Sequence, residues 1–150
     1  MSKFIFSAFL LVIISTYVSA TESMISIESH YSVKETANRF EAIAKKKGLT
    51  IFTRINHQKN AAGVNLKLRA TEVILFGNPK VGTPLMLCAQ TAAIDLPQKV
   101  LIRADENHKV WLSYNNPQYI KERHNIQNCD KVITKISKVL SVLGHAATNK

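Results

Sequence analysis

The sequence predicts an α+β domain in which helices pack on a single sheet of about five strands. The chain has 150 residues, the size of one ordinary domain. Short apolar runs typical of strands alternate with segments that have the hydrophobic period of helices. No internal repeat or low-complexity segment is present. The predicted order of elements is β-α-β-β-α-β-β-α-α.

The N-terminus predicts a secretory signal peptide over residues 1–20. Lys3 supplies the positive charge, residues 4–14 form the apolar core, and Val18-Ser19-Ala20 places small residues where a signal peptidase cleaves. An uncleaved anchor is the alternative, but about 17 usable residues is the lower limit for a spanning helix. We therefore expect cleavage between Ala20 and Thr21, and a periplasmic or secreted mature form that does not span a membrane.

After cleavage, residues 21–145 are expected to form the domain and residues 146–150 a frayed tail. The mature chain is basic, because removing Lys3 from 20 Lys and Arg leaves 19 against 10 Asp and Glu, or +9. The charges are spread along the chain without an arginine-rich segment, so a solvated surface is favoured and no nucleic-acid partner is expected.

Cys88 and Cys129 are the two cysteines. Export to an oxidising compartment favours a disulfide between them, 129 − 88 = 41 positions apart. Two separately buried thiols remain the alternative, since spacing alone does not bring two Cβ atoms together. The sequence contains no CxxC pair, the pattern that would indicate a redox or zinc motif.

The first half of the domain is predicted from local signals. Residues 24–30 alternate as a strand, and Ser32 with Glu35 forms a capping box that begins a helix over 32–47, ended by Gly48. Residues 49–57 form the next strand. Its parity places His57 on the more apolar face. Residues 58–68 are left as a connector.

The stretch from Ala70 to Leu85 predicts a strand that delivers a helix. Val73-Ile74-Leu75-Phe76 is apolar on both faces, as in a central strand covered on each side, with Glu72 as the polar exception. Thr83 and Pro84 match the N-cap and first residue of a helix running to Ala92.

The second half predicts a hairpin and two helices. Residues 99–105 and 109–114 flank the polar turn Glu106-Asn107-His108. Asn116-Pro117 begins a short helix that ends near Arg123. Residues 130–143 have one apolar face, and Gly144 is expected to end that helix.

The turn FGNPKVGTPL has the parts of an anion-binding loop. Gly77 and Gly82 allow close backbone approach, Lys80 lies between them, and the helix after Thr83 should begin with unpaired N–H groups. It is not a P-loop, since GxxxxGK[ST] is absent, and simple turn chemistry is the alternative.

Three ionisable residues are candidates for acid/base or metal chemistry: His57, Glu72 and His124. They do not lie at ligand spacing on one element, so a buried histidine bonded to a carboxylate is the alternative, and no metal or other cofactor is expected. No GxSxG motif indicates a nucleophile. The ligand-binding candidates are therefore His57, Glu72, Asn78, Lys80, Thr83 and His124.

Several motifs together resemble a known family. They are Ile55-Asn56-His57, Leu75-Phe76-Gly77-Asn78-Pro79-Lys80, Gly82-Thr83-Pro84-Leu85-Met86, Ile94-Asp95-Leu96-Pro97, Val110-Trp111-Leu112-Ser113-Tyr114, Pro117-Gln118-Tyr119 and Arg123-His124. In this order they are similar to the domain-of-unknown-function-302 family. The resemblance implies a compact α+β domain that is sometimes exported and can associate in pairs, and it implies no activity. Asn56 stands where many members have Asp, and Asn125 where a glycine is usual.

These observations lead to three functional expectations. The first is an exported binding or interaction domain of the cell envelope, without catalytic residues, that takes a small anionic ligand near Gly77–Leu85 or an envelope protein. The second is a hydrolase or lyase that uses His57 and Glu72, with or without a metal. The third is a structural envelope protein that works as a homodimer.

Overall fold

The computed structural model describes residues 21–150, so the predicted signal peptide lies outside the described residues. Within that range the chain forms one five-stranded antiparallel sheet with the order β1-β5-β4-β3-β2. The strands are β1 (Met24–Ser29), β2 (Thr50–Asn56), β3 (Thr71–Gly77), β4 (Gln98–Ala104) and β5 (Val110–Asn115). The predicted α+β class is confirmed.

Helices connect these strands in the predicted order, with one short helix, α2, added after β2. The α-helices are α1 (Val33–Lys46), α2 (His57–Ala62), α3 (Pro79–Cys88), α4 (Pro117–Arg123) and α5 (Asp130–Thr148). A 3-10 helix (Gln90–Asp95) follows α3. Ser32 caps α1 by accepting a hydrogen bond from the backbone N–H of Glu35, as the capping box predicts.

The core lies on one face of the sheet, where α1 and α5 pack. Ile74, Phe76, Val100, Ile102 and Leu112 point to this face and are buried. Alternate residues of β3, among them its valine and leucine, are only partly buried. The prediction of a central strand covered on both faces is therefore wrong, since β4 is central and an antiparallel sheet can leave its second face in water.

A β-bulge changes the side-chain parity of β2. Ile51 pairs with Phe76 and Thr53 pairs with Leu75, so Phe52 is the extra residue. Beyond the bulge Arg54 lies on the core face, opposite to the face that strict alternation predicts. His57 is not a strand residue, because Asn56 accepts a hydrogen bond from the Lys59 N–H and begins α2.

Helix α3 begins five residues before the predicted first residue, Pro84. Asn78 is its N-cap, with Oδ1 2.9 Å from the Lys80 N–H, and Pro79 is its first residue. Thr83 and Pro84 lie inside the helix. Asn78-Pro79 and Thr83-Pro84 both match the pattern of an N-cap followed by proline at the first helical position, and the helix begins at the first of the two pairs.

Helix α5 continues past Gly144 to Thr148, so the predicted stop and the frayed tail from Ala146 are wrong. The carbonyls of Ala146 and Ala147 accept hydrogen bonds from Arg39 at 3.2 and 3.1 Å. These bonds fix the last turn, and Ala147 is fully buried. Glycine at 144 allows close packing on the sheet, because a Cβ there would lie 2.7 Å from Cδ1 of Ile27 on β1 and the Ile27 side chain would have to shift.

Candidate functional site

A cavity of about 680 Å³ opens between α3, α5 and the end of the sheet where β2 and β3 meet. Apolar side chains form most of its surface. They come from the sheet end and the connector after α1 (Leu49, Phe52, Phe76), from α3 (Val81, Met86), from the segment before β4 (Ala93, Leu96, Pro97) and from α5 (Ile136, Val139, Leu140). A cavity of this size and composition falls within the range of small-molecule sites, about 300–1,000 Å³.

Local sequence features place these walls. The amphipathic period of α5 presents Ile136 and Leu140 to the interior, where both are buried. Cys88 at the end of α3 is joined by a disulfide to Cys129, the residue before α5, as the cysteine count predicts. The helices on either side of the cavity are therefore linked covalently.

The charged residues of the cavity lining are two lysines, Lys47 at the end of α1 and Lys135 on α5, and no carboxylate contributes to it. Within residues 21–150 neither ammonium group forms an ion pair or a hydrogen bond. Both are therefore available to an anion from solution.

The uncharged polar lining consists of Asn78, Thr83 and Gln98. Asn78 is occupied, because Oδ1 caps α3 and Nδ2 donates to the Gly48 carbonyl at 3.2 Å. The side chains of Thr83 and Gln98 make no hydrogen bond to any described residue. They are the polar groups that can orient a bound molecule.

The backbone donors expected at the turn are already used. Pro79 has no N–H, the Lys80 N–H is bonded to the Asn78 side chain, and the Val81 and Gly82 N–H groups donate to the Asn78 carbonyl at 2.9 and 3.0 Å. The predicted row of unpaired N–H groups after Thr83 is therefore wrong. Lys80 is exposed on α3 and is not part of the cavity surface.

Glu72 and His57 lie at the opposite end of β3 from the cavity. Gly77 lies five positions after Glu72 on the strand, about 17 Å at the rise of a β-strand. Glu72 and His57 therefore do not share a site with the Gly77–Leu85 turn. None of the three candidates His57, Glu72 and His124 belongs to the cavity lining.

The buried Glu72 carboxylate is bound by other side chains. Arg54 Nε donates to its Oε2 at 2.5 Å and Asn56 Nδ2 to its Oε1 at 3.4 Å. Arg54 also contacts Glu41 of α1 at 3.4 Å. Burial opposes charge on the guanidinium, but the hydrogen bond and charge of Glu72, with the charge of Glu41, raise the pKa of Arg54. This arrangement is a structural ion pair joining β2, β3 and α1.

His124 belongs to a third group of side chains, which is separate from the Glu72 ion pair and is not part of the cavity lining. Its Nε2 lies 2.6 Å from Asp95 Oδ2 and its Nδ1 lies 3.1 Å from the Thr91 hydroxyl. Arg123 Nη1 donates to the same carboxylate at 3.1 Å. These bonds connect the 3-10 helix to the end of α4. Among the described residues no three His, Cys, Asp or Glu side chains form a metal-binding group.

Sequence reasoning missed Lys47 and Lys135 as cavity residues and Asp95 as the partner of His124. Lys47 follows the last turn of α1, where a lysine interacts favourably with the helix dipole, and Lys135 lies on the polar face of α5, so neither lysine has a local signal for a site. Only the fold brings the two lysines to one cavity. Asp95 had a signal, because its motif Ile94-Asp95-Leu96-Pro97 and Arg123-His124 both belong to the family resemblance.

No helix within residues 21–150 combines the length and the apolar character needed to cross a lipid bilayer. The fold defines a two-layer α+β protein, with helices on one face of an antiparallel five-stranded sheet. The chain belongs to the DUF302 family, described as a domain of unknown function, whose sequence model matches residues 25–143. The family expected from the motifs is thereby confirmed.

The fold is shared with a solved structure titled "Crystal structure of uncharacterized conserved protein DUF302 from Bacillus stearothermophilus". The TM-score is 0.76 at 15% identity, covering 85% of this chain and 99% of that one. Two curated relatives are 42% identical over 103 residues: fluoride-specific ion channel FluC 1 of Brucella suis biovar 1 and FluC 1 of Brucella abortus biovar 1. The match covers 69% of this chain but only 41% and 38% of the relatives' length.

Proposed function

We propose that this protein is an exported binding domain whose cavity between α3 and α5 holds a small, largely apolar molecule. The observation that carries this proposal is a 680 Å³ cavity with mainly apolar walls and a few polar groups. Export is supported by the signal-like residues 1–20. A compartment that favours disulfides agrees with the Cys88–Cys129 bond.

The geometry gives the hydrolase or lyase alternative less support. A general base must reach its substrate proton, yet the Glu72 carboxylate is buried and bonded to Arg54 and Asn56. The ion pair explains this carboxylate without catalysis. The binding proposal uses the residues for which the fold supplies no other partner.

A filled-cavity variant tests the proposal with a fluorescent probe that has aromatic rings and one sulfonate group. Val139→Trp places an indole in the cavity, while Val142→Trp adds the same group one turn further along α5, outside the lining. We expect the probe 1-anilinonaphthalene-8-sulfonate to bind the protein and the Val142 variant, and to lose most of its binding with the Val139 variant. Circular dichroism checks that both variants fold. Equal probe binding by the two folded variants, or no binding by the parent protein, would contradict a ligand cavity.

The names of the curated relatives add fluoride to the ligands to be tested. The chain spans about two fifths of those relatives, so a channel activity of the whole protein does not transfer to it. A thermal-shift experiment compares the Tm of the protein in sodium fluoride and in sodium chloride at equal ionic strength. A shift specific to fluoride that persists in the Val139 variant would favour a fluoride-linked role over an apolar ligand.

A further inference from the structure

We propose that the cavity binds an amphipathic organic acid, with its apolar part between α3 and α5 and its single anionic group at Lys47 and Lys135. This inference rests on the proposed function and names the chemical class of the ligand. The experiment below separates failure of the ligand class from failure of the cavity as a binding site.

The charge of the cavity entrance favours an anion. Lys47 and Lys135 are part of the lining, and no aspartate or glutamate is. The acidic groups near them along the chain are taken by other cations: Glu41 lies 3.6 Å from Lys45 and 3.4 Å from Arg54, and Asp130 lies 2.5 Å from Lys121. The two lysines thus add positive charge that the protein does not neutralise locally.

The lysines also match the shape of an amphipathic molecule. A lysine side chain can lay its methylene groups on an apolar surface while its ammonium group stays in water. At the edge of an apolar cavity this arrangement places a charge where the polar end of a ligand would emerge. The Thr83 hydroxyl and the Gln98 amide, which form no hydrogen bond with any described residue, also lie in the lining and can donate to polar atoms of the ligand.

The apolar walls explain why the ligand needs a hydrocarbon part. Phe52, the bulged residue of β2, is 54% exposed and lines the cavity. Covering such a ring removes apolar surface from water, which favours binding by a free energy of about 25 cal/mol per Å². Met86 and Val139 face the same space from α3 and α5. A small inorganic anion would use the lysines and leave these surfaces wet.

The test compares three ligands with the same chain and different head groups: decanoate, decanol and decyltrimethylammonium, each below the concentration at which it forms micelles. Binding is measured by isothermal titration calorimetry with the oxidised protein, because the sulfonate of the fluorescent probe would itself respond to salt and to the lysine variants. We expect decanoate to bind at least tenfold more tightly than decanol, and the cation to bind most weakly. Added salt should weaken decanoate and leave decanol unchanged.

Lysine variants assign the effect to the entrance. The double variant Lys47→Gln, Lys135→Gln should bind decanoate no better than decanol, while its decanol affinity stays at the parent value. Lys131→Gln is the matched control, since Lys131 lies one turn before Lys135 on α5 and outside the cavity lining. It should leave all three affinities unchanged.

Each remaining outcome has one meaning. Equal affinity for decanoate and decanol, with both lost in Val139→Trp, would overturn the anionic class and leave the binding cavity in place. No binding of any of the three would overturn both proposals. Retention of the protein on phosphatidylglycerol vesicles, abolished by the double lysine variant and without decanoate binding in solution, would assign the lysines to a membrane surface and overturn the inference.

Discussion

Replacing Arg54 by methionine should destabilise the protein by about 3 kcal/mol. The variant keeps an unbranched apolar side chain in place of the arginine stem but leaves the Glu72 carboxylate, which is 6% exposed, without its 2.5 Å partner. Removing one member of a buried ion pair costs about 3–5 kcal/mol, and the lower end applies because the Arg54 side chain is 25% exposed. For a domain of this size the loss corresponds to a fall in Tm of about 10 °C.

Urea denaturation followed by the fluorescence of Trp111 measures this effect at neutral pH. Arg69→Met is the matched control, since Arg69 and Glu106 form an exposed pair at 3.9 Å that contributes little. Adding Glu72→Met to Arg54→Met should restore most of the stability. A loss below about 1 kcal/mol for Arg54→Met would refute the structural ion pair assigned to Glu72.

Three further predictions concern the scaffold. Replacing Cys88 and Cys129 by serine should lower the free energy of unfolding by about 3–4 kcal/mol, because the disulfide closes a loop with a separation of 41; calorimetry showing no change would contradict a disulfide in the purified protein. Gly144→Val should be about 1–3 kcal/mol less stable than Gly144→Ala in urea, since its extra methyl groups press on β1 and β5; equal stability would show that these strands yield. The hydrogen bond from the Trp111 indole lowers the pKa of Asp105, so its stabilisation is present above the ordinary aspartate pKa and is lost as the pH falls through the folded-state value. Asp105→Asn should therefore lose less stability on acidification than the parent protein, and parallel pH profiles would contradict this assignment.

The elements that could be predicted from the sequence are those whose signals are local. The capping box at Ser32, the Asn116-Pro117 helix start and the β4–β5 hairpin depend on neighbouring residues, and the structure confirms all three. The disulfide followed from the cysteine count and the expected compartment.

The errors arose where distant residues decide the outcome. Gly144 has the pattern of a helix stop, but its role is to make room for Ile27, which is far away in the sequence. The bulge at Phe52 shifts the alternation of β2 by one residue. Arg54 therefore points to the core face, where it pairs with Glu72, and not to the opposite face that strict alternation predicts. Periodicity carries no signal for such a bulge.

The candidate site was predicted in part. Asn78 and Thr83 line the cavity. They were selected because a helix was expected to begin at Thr83, but α3 begins at Pro79 and the N–H groups of Lys80, Val81 and Gly82 are already hydrogen-bonded. Lys47 and Lys135 line the same cavity only because α1 and α5 pack against each other. The sequence shows one charge at the end of a helix and another on the polar face of a second helix. It does not show that the two charges line one cavity.

The most direct measurement of the central claim is an NMR titration of the mature protein labelled at its methionine methyl groups. Met86 lines the cavity, and Met24 is an exposed residue of β1 outside the lining. Adding decanoate should move the Met86 signal in a saturable way and leave the Met24 signal in place. A Met86 signal that does not move, or two signals that move together, would contradict a ligand site in this cavity.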